Sequence, residues 1–281
     1  MKHNDYVNNQ VNQNDFFIKK KYSQNFLLDE NIIKKIVDAG AIDNQTSVIE
    51  IGPGFGALTK YIIKQAHHVL LYEIDQELIP HLNVLFKDDD IHILNQDFLK
   101  VHNIDQDINT YLGDDRIVVM SNLPYHITTP IIMKILEESH KIDRLILMMQ
   151  LEVAKRLTSK PNTKDYNALS IIIQDQTDAR YLFKVPKTVF KPKPKVDSAV
   201  ICLDIKNNQT RDPQYYEFLH RCFQQRRKTL TNNLNTAYQI DKSVIQTILK
   251  DMNLHENIRA EALDTIQLKK IYSILKKEDY V

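Results

Sequence analysis

Short apolar runs alternate along the first two thirds of the chain with stretches in which apolar residues return every three or four positions. Runs at 47–51, 69–72, 91–94, 117–120, 144–150 and 180–185 have the length and branching of buried strands. Between them lie helical patterns. The first starts at Asp29 as N-cap, carries Ile32, Ile33, Ile36 and Val37 on one face and ends at Gly40. Others are predicted over 57–65, 77–86, 130–136 and from Asn167 through 174. This alternation predicts an α/β fold of strands and helices in turn. At 206–212 the chain turns polar and strand patterning stops. Beyond it Tyr215, Phe218, Leu219, Cys222 and Phe223 recur at helical spacing, and further helices are predicted over 242–252 and 265–276. The expected organisation is a flexible segment over 1–20, an α/β domain over 21–206 and a small all-helical domain over 207–281.

Composition changes this picture only in places. A hydrophobic fraction of 43% in 281 residues suffices for a large core with an appendage. No apolar run approaches the roughly 20 residues that span a bilayer. Residues 1–15, rich in Asn and Gln, lack the apolar centre of a signal peptide and are expected to be disordered. A cytoplasmic protein without membrane contact is the expectation. Cys202 and Cys222 form neither a metal-ligand spacing nor a disulfide framework, so no metal is expected. The net charge is +1, yet basic residues cluster at 19–21, 184–195 and 221–228, as a polyanionic partner would require.

The chemistry concentrates at strand ends. The chain has five glycines, and three of them, Gly52, Gly54 and Gly56, stand at alternate positions between a strand and a helix. Such a loop bends sharply and lets a ligand approach the backbone. Its Gly-x-Gly-x-Gly spacing after Glu50 departs from the dinucleotide fingerprint and favours S-adenosylmethionine. Glu73 ends the next strand, placed to accept both ribose hydroxyls. Asp97 follows the third and is placed to accept from an adenine amino group; taken alone, it reads equally as a turn or cap residue. After the fourth strand, Ser121-Asn122-Leu123-Pro124-Tyr125 offers an amide oxygen, a fixed turn and a flat ring, which suits an everted base gripped through its exocyclic amino group. A plain turn, with Asn122 capping the backbone and Tyr125 in the core, uses the same residues.

Taken together, Glu50-Ile51-Gly52-Pro53-Gly54-Phe55-Gly56, Glu73, Asp97 and Asn122-Leu123-Pro124-Tyr125 resemble the motifs of class I S-adenosylmethionine-dependent methyltransferases, and more narrowly of the ribosomal RNA adenine dimethyltransferases. Gln24-Asn25-Phe26-Leu27 resembles that family's first motif, with Ser23 where a glycine is usual. The string from Val189 through Phe190, Lys191, Lys193, Lys195, Asp197 and Val200 resembles a late motif, and Gln225-Arg226-Arg227-Lys228-Thr229-Leu230 a carboxyl-terminal one.

The resemblance implies a Rossmann-like, seven-stranded, mostly parallel sheet with an antiparallel last strand, followed by a helical RNA-binding domain. It implies a cofactor site at Asn25, Leu27, Gly52, Gly54, Glu73, Asp97 and Asn122. It also implies a target-base site in which Asn122 and the Pro124 carbonyl accept from the amino group while Tyr125 and Phe190 stack on the ring. Lys191, Lys193, Lys195, Arg221, Arg226, Arg227 and Lys228 are the implied RNA contacts. The late strings are closer to enzymes of the small subunit, so the implied substrate is two adjacent adenosines in the terminal hairpin of small-subunit ribosomal RNA, dimethylated by a monomer acting on an immature subunit. A large-subunit enzyme conferring macrolide resistance, a DNA adenine methyltransferase and a non-catalytic assembly factor are the alternatives.

Overall fold

The computed structural model describes residues 25–207 and 211–281. The expectations for residues 1–24, including disorder at 1–15, the basic block at 19–21 and the turn at Ser23, lie outside the described residues. The chain divides into two compact units, one comprising residues up to Ala154 with Arg180–Ile205, the other Lys155–Ala179 with Lys206–Val281.

The first unit is built on a seven-stranded sheet. In chain order the strands are β1 (Phe26–Leu27), β2 (Thr46–Ile51), β3 (Val69–Glu73), β4 (Ile91–Asn95), β5 (Arg116–Asn122), β6 (Ile142–Gln150), β7 (Thr177–Val185), β8 (Phe190–Lys191) and β9 (Ser198–Ile205). The large sheet runs β4-β3-β2-β5-β6-β9-β7, and β1 pairs with β8 in a separate ribbon. The neighbours β4–β3, β3–β2, β2–β5 and β5–β6 pair in parallel, whereas β9 is antiparallel to β6. Every residue of β2 and β3 is buried, as a parallel sheet covered on both faces demands. Parallel pairing also fixes the site. With Ile49 opposite both Leu70 and Val119, the carboxyl ends of β2, β3, β4 and β5 gather at one edge, where open sheets bind ligands. The antiparallel β9 sets Ser198 beside Gln150 at that same edge.

The flanking helices follow the hydrophobic pattern, with instructive differences. Helix α1 (Glu30–Ala39) buries Ile33, Ile36 and Val37, and the Asp29 carboxylate accepts from Asn31 N and Ile32 N at 2.9 and 3.1 Å. Gly40 ends it in a right-handed conformation, φ −65°, so the left-handed cap expected of a glycine is absent. The reason for glycine is space, since a Cβ there would lie 2.8 Å from Met120 Cε. The helix predicted over 57–65 is regular only at α2 (Thr59–Ile62). After α3 (Ile79–Leu85), the chain forms a helix that periodicity missed, α4 (Ile104–Tyr111), capped by Asn103 and burying only Ile104 and Ile108. Helix α5 (Thr128–Glu138) follows β5, and α6 (Leu151–Leu157) runs from the end of β6 across the boundary between the units.

The second unit is helical, comprising α7 (Ala168–Gln176), α8 (Pro213–Cys222), α9 (Leu230–Tyr238), α10 (Lys242–Asp251) and α11 (Thr265–Lys277). A division between 206 and 207 is therefore too simple, because residues 155–179 pack with the carboxyl-terminal helices. Tyr166 donates from its hydroxyl to the Leu263 carbonyl (3.0 Å), Asn162 N donates to the Glu261 carbonyl (2.8 Å) and Lys269 pairs with Asp175 (3.0 Å). Tyr215, Phe218 and Tyr272 form an aromatic cluster at its centre, with ring centroids 5.1 and 5.3 Å from Tyr272. Among the described residues no helix is long and apolar enough to cross a membrane.

Candidate active site

The glycine loop leaves β2 with Gly52, Gly54 and Gly56 at φ of 69°, 59° and 75°, a left-handed region that side chains disfavour. Each glycine has its own surroundings. A Cβ on Gly56 would lie 2.7 Å from the Phe86 ring and one on Gly54 3.3 Å from Phe26, while one on Gly52 would meet nothing within 4 Å. Gly52 thus faces open space, and that space is a cleft of about 1150 Å³ including its mouth. Asn25, Leu27, Gly52, Gly54, Glu73, Asp97, Asn122, Pro124 and Tyr125 all line it. The sequence-predicted cofactor residues and three of the four base-site residues therefore share one cavity.

Glu73 is buried at the end of β3. Its carboxylate accepts from Gly54 N at 3.1 Å and Asp75 N at 2.8 Å, so it ties the glycine loop to the strand end, and burial pushes its pKa up. The carboxylate also lines the cleft, where it is placed to accept from a ribose diol. Asp97 does serve as the cap that its residue type suggested, accepting from Leu99 N at 3.0 Å, and it lines the cleft as well. Apolar walls from Ile51, Ile74 and Phe98 suit an adenine face, so the residues present fit S-adenosylmethionine. Glu50 carries more than its place in the motif indicated. It is 1% exposed, lines the cleft, accepts from Thr59 Oγ1 at 2.6 Å and has its pKa pushed up to about 8, first by burial and also by the Glu73 charge.

At the end of β5, the Ser121 hydroxyl donates to the Ile51 carbonyl and locks β5 to β2 just before the turn. Asn122 is half-buried and its Nδ2 donates to the Asn25 carbonyl at 3.2 Å. That bond orients the amide and leaves Oδ1 with no acceptor role among the described residues. The Pro124 carbonyl differs from expectation, because it already accepts from Ile127 N (3.2 Å) and Thr128 Oγ1 (3.3 Å) at the start of α5. Tyr125 lines the cleft with its hydroxyl 2.8 Å from Ser198 Oγ, a partner that sequence order alone could not supply.

Phe190 requires correction. It is 5% exposed, belongs to the same apolar core as Leu27 and Val185, and is not among the residues lining the cleft. β8 pairs Phe190 with Leu27, which shares that core but also lines the cleft, so it is the burial of the Phe190 ring, and not its register, that separates it from the cleft. Lys191 is half-buried in that ribbon, while Lys193 and Lys195 are exposed.

In the helical unit the implied RNA contacts separate into two kinds. Arg221 pairs with Glu217 at 3.0 Å and Arg226 with Glu261 at 2.8 Å, so both have acidic partners. Arg227 and Lys228 are exposed and have no acidic partner among the described residues.

Comparison with known proteins agrees with this geometry. The family profile described as ribosomal RNA adenine dimethylase matches residues 15–271. The chain is 41% identical over 271 residues to the ribosomal RNA small subunit methyltransferase A of Bacillus pumilus, covering 93% of this chain and 92% of that one. It is 42% identical over 274 residues to the protein of the same name from Alkaliphilus metalliredigens, covering 95% and 94%. In fold it is similar to a dimethyladenosine transferase from Plasmodium falciparum, with a TM-score of 0.77 at 23% identity over 91% of this chain and 98% of that one. A 23S rRNA methyltransferase, ErmE, matches with a TM-score of 0.69 at 24% identity, covering 89% and 99%. The chain belongs to the ribosomal RNA adenine dimethylase family, class I methyltransferases that take their methyl group from S-adenosylmethionine.

Proposed function

We propose that the chain transfers methyl groups to the exocyclic amino nitrogens of two adjacent adenosines in the 3′-terminal hairpin of small-subunit ribosomal RNA, within an immature subunit in the cytoplasm. One observation carries the reading: the glycine loop with Glu73 and the Asn122–Tyr125 turn open onto a single cleft. The small-subunit choice rests on the names of the relatives at about 40% identity, whereas the likeness to ErmE speaks only to fold.

The sulfonium supplies a methyl group already activated for displacement, so what the chain must contribute is alignment. An adenine amino nitrogen is a poor nucleophile because its lone pair is delocalised into the ring. Asn122 Oδ1, held outward by the Nδ2 bond to Asn25, accepts from the amino group, favours a pyramidal nitrogen and stabilises the positive charge that grows there. Tyr125, steadied by Ser198, offers a ring for stacking worth roughly 1 to 3 kcal/mol. The Pro124 carbonyl contributes only by sharing with the bonds it already accepts from Ile127 and Thr128. After one transfer the charged nitrogen releases a proton to solvent, and the single N–H that remains can turn to Asn122 Oδ1, so the same arrangement serves a second methyl.

Incubation with labelled S-adenosylmethionine and, separately, immature small subunits, large-subunit RNA and duplex DNA tests the reading. Label is expected in the small-subunit RNA alone. Preferential labelling of large-subunit RNA or DNA overturns it.

A further inference from the structure

The amino ends of the parallel strands, at the edge of the sheet away from the cleft, carry a second cluster of chemically active side chains. His67 and His68 immediately precede β3, Asp90 precedes β4 and Asp115 precedes β5. Parallel pairing of β2 with β3 and β5, and of β3 with β4, brings these loops together. The two imidazoles lie against each other, with centroids 3.9 Å apart and planes tilted by 34°. One ligand atom each from His67, His68 and Asp115 all lie within 4.8 Å of one another.

We propose that His67, His68 and Asp115 bind a late first-row divalent metal ion of the zinc type. The donor set, two imidazoles and one carboxylate, is the one such ions prefer, with a fourth position left to water. Metal–ligand bonds of roughly 2.0 to 2.2 Å in a tetrahedral arrangement place two donors about 3.3 to 3.6 Å apart, so side chains whose ligand atoms lie within 4.8 Å close on an ion by moving about 1 Å. The His67 and His68 side chains, 50% and 30% exposed, have room for it.

The surrounding contacts are those that orient metal ligands. Ser47 Oγ donates to Asp115 Oδ2 at 2.6 Å and fixes that carboxylate, and Asp90 Oδ2 lies 2.7 Å from His68 Nδ1, a carboxylate backing for the ring when the metal takes its other nitrogen. His67 Nδ1 lies 2.8 Å from Asp115 Oδ2, a hydrogen bond that an ion inserted between them replaces. An ion here would pin the loops before β3 and β5 to each other, remote from methyl transfer. Sequence spacing did not reveal the site because Asp115 stands far from the histidines along the chain and no cysteine takes part.

Isothermal titration of the full-length protein with Zn²⁺, together with the visible absorption of a Co²⁺ complex, tests the proposal. One ion per chain is expected, and His67→Ala and His68→Ala should each weaken binding by about tenfold or more while leaving methyl transfer and the folded circular-dichroism signal unchanged. Failure of the parent protein to take up zinc, or equal affinity in the doubly substituted protein, overturns it and reduces the cluster to histidine–aspartate hydrogen bonds.

Discussion

Replacing Asn122 by alanine separates the two halves of the cleft. The substitution removes the Oδ1 proposed to accept from the target nitrogen and also the Nδ2 bond to the Asn25 carbonyl. A preorganised group facing charge that develops in the transition state is worth about 2.7 to 4 kcal/mol, so the single-turnover rate should fall by roughly 10²- to 10³-fold. The lost bond to Asn25 is an ordinary one, worth about 0.5 to 1.5 kcal/mol, which bounds the loss in cofactor affinity at roughly two- to tenfold. Glu73 and the glycine loop remain untouched by the change. Rapid-quench measurement of methyl transfer to immature small subunits gives the rate, and calorimetry with S-adenosylhomocysteine gives the affinity. If the rate falls only as far as the affinity does, Asn122 acts on the cofactor alone and the assignment at the base is wrong.

The remaining predictions concern the acids and the basic helix end. Glu73→Ala, with two charge-assisted bonds lost at about 1.5 to 3 kcal/mol each, should weaken cofactor binding by at least about 10²-fold in calorimetry, and unchanged affinity would contradict the ribose assignment. For Glu50 the sign follows from burial, which raises the folded-state pKa from 4.5 to about 8. Its favourable contribution is full below the unfolded value and is lost as pH rises through about 8. Glu50→Gln, uncharged throughout, should therefore gain stability relative to the parent between pH 5 and pH 9, by on the order of 3 to 5 kcal/mol; parallel melting curves across that range would refute it. Removing Arg227 and Lys228 should reduce the slope of log K against log salt for RNA binding by roughly 0.7 to 0.9 per charge, measured by fluorescence anisotropy, with cofactor affinity unchanged. An unchanged slope would take both residues out of the RNA contact.

How legible the molecule was depends on whether a feature is local. Strand runs bounded by glycines or acids, and caps such as Asp29 and Asn167, carry their signal within a few residues and agree with the structure. Helix α4 escaped because only Ile104 and Ile108 are buried on an otherwise polar surface. Gly40 stands where a left-handed cap is expected, yet it is right-handed and lies close to Met120, a strand residue distant in sequence. Long-range pairing was illegible. An aromatic in a basic, proline-rich string such as Phe190 looks the same whether it faces a cleft or a core, and only its burial in the folded chain decides. Likewise the Ser198 support of Tyr125 and the packing of residues 155–179 with the last helices arise from the folded chain. Cleft residues at strand ends were the easier part, since parallel topology alone collects them.

A crystal structure with S-adenosylhomocysteine and adenosine bound together tests the central claim most directly. The ribose hydroxyls of the cofactor product are predicted on Glu73, and the adenosine amino nitrogen within about 3 Å of Asn122 Oδ1 with its ring against Tyr125, both in one cleft. Density placing the two ligands on separate surfaces, or the adenosine amino group turned away from Asn122, would contradict it.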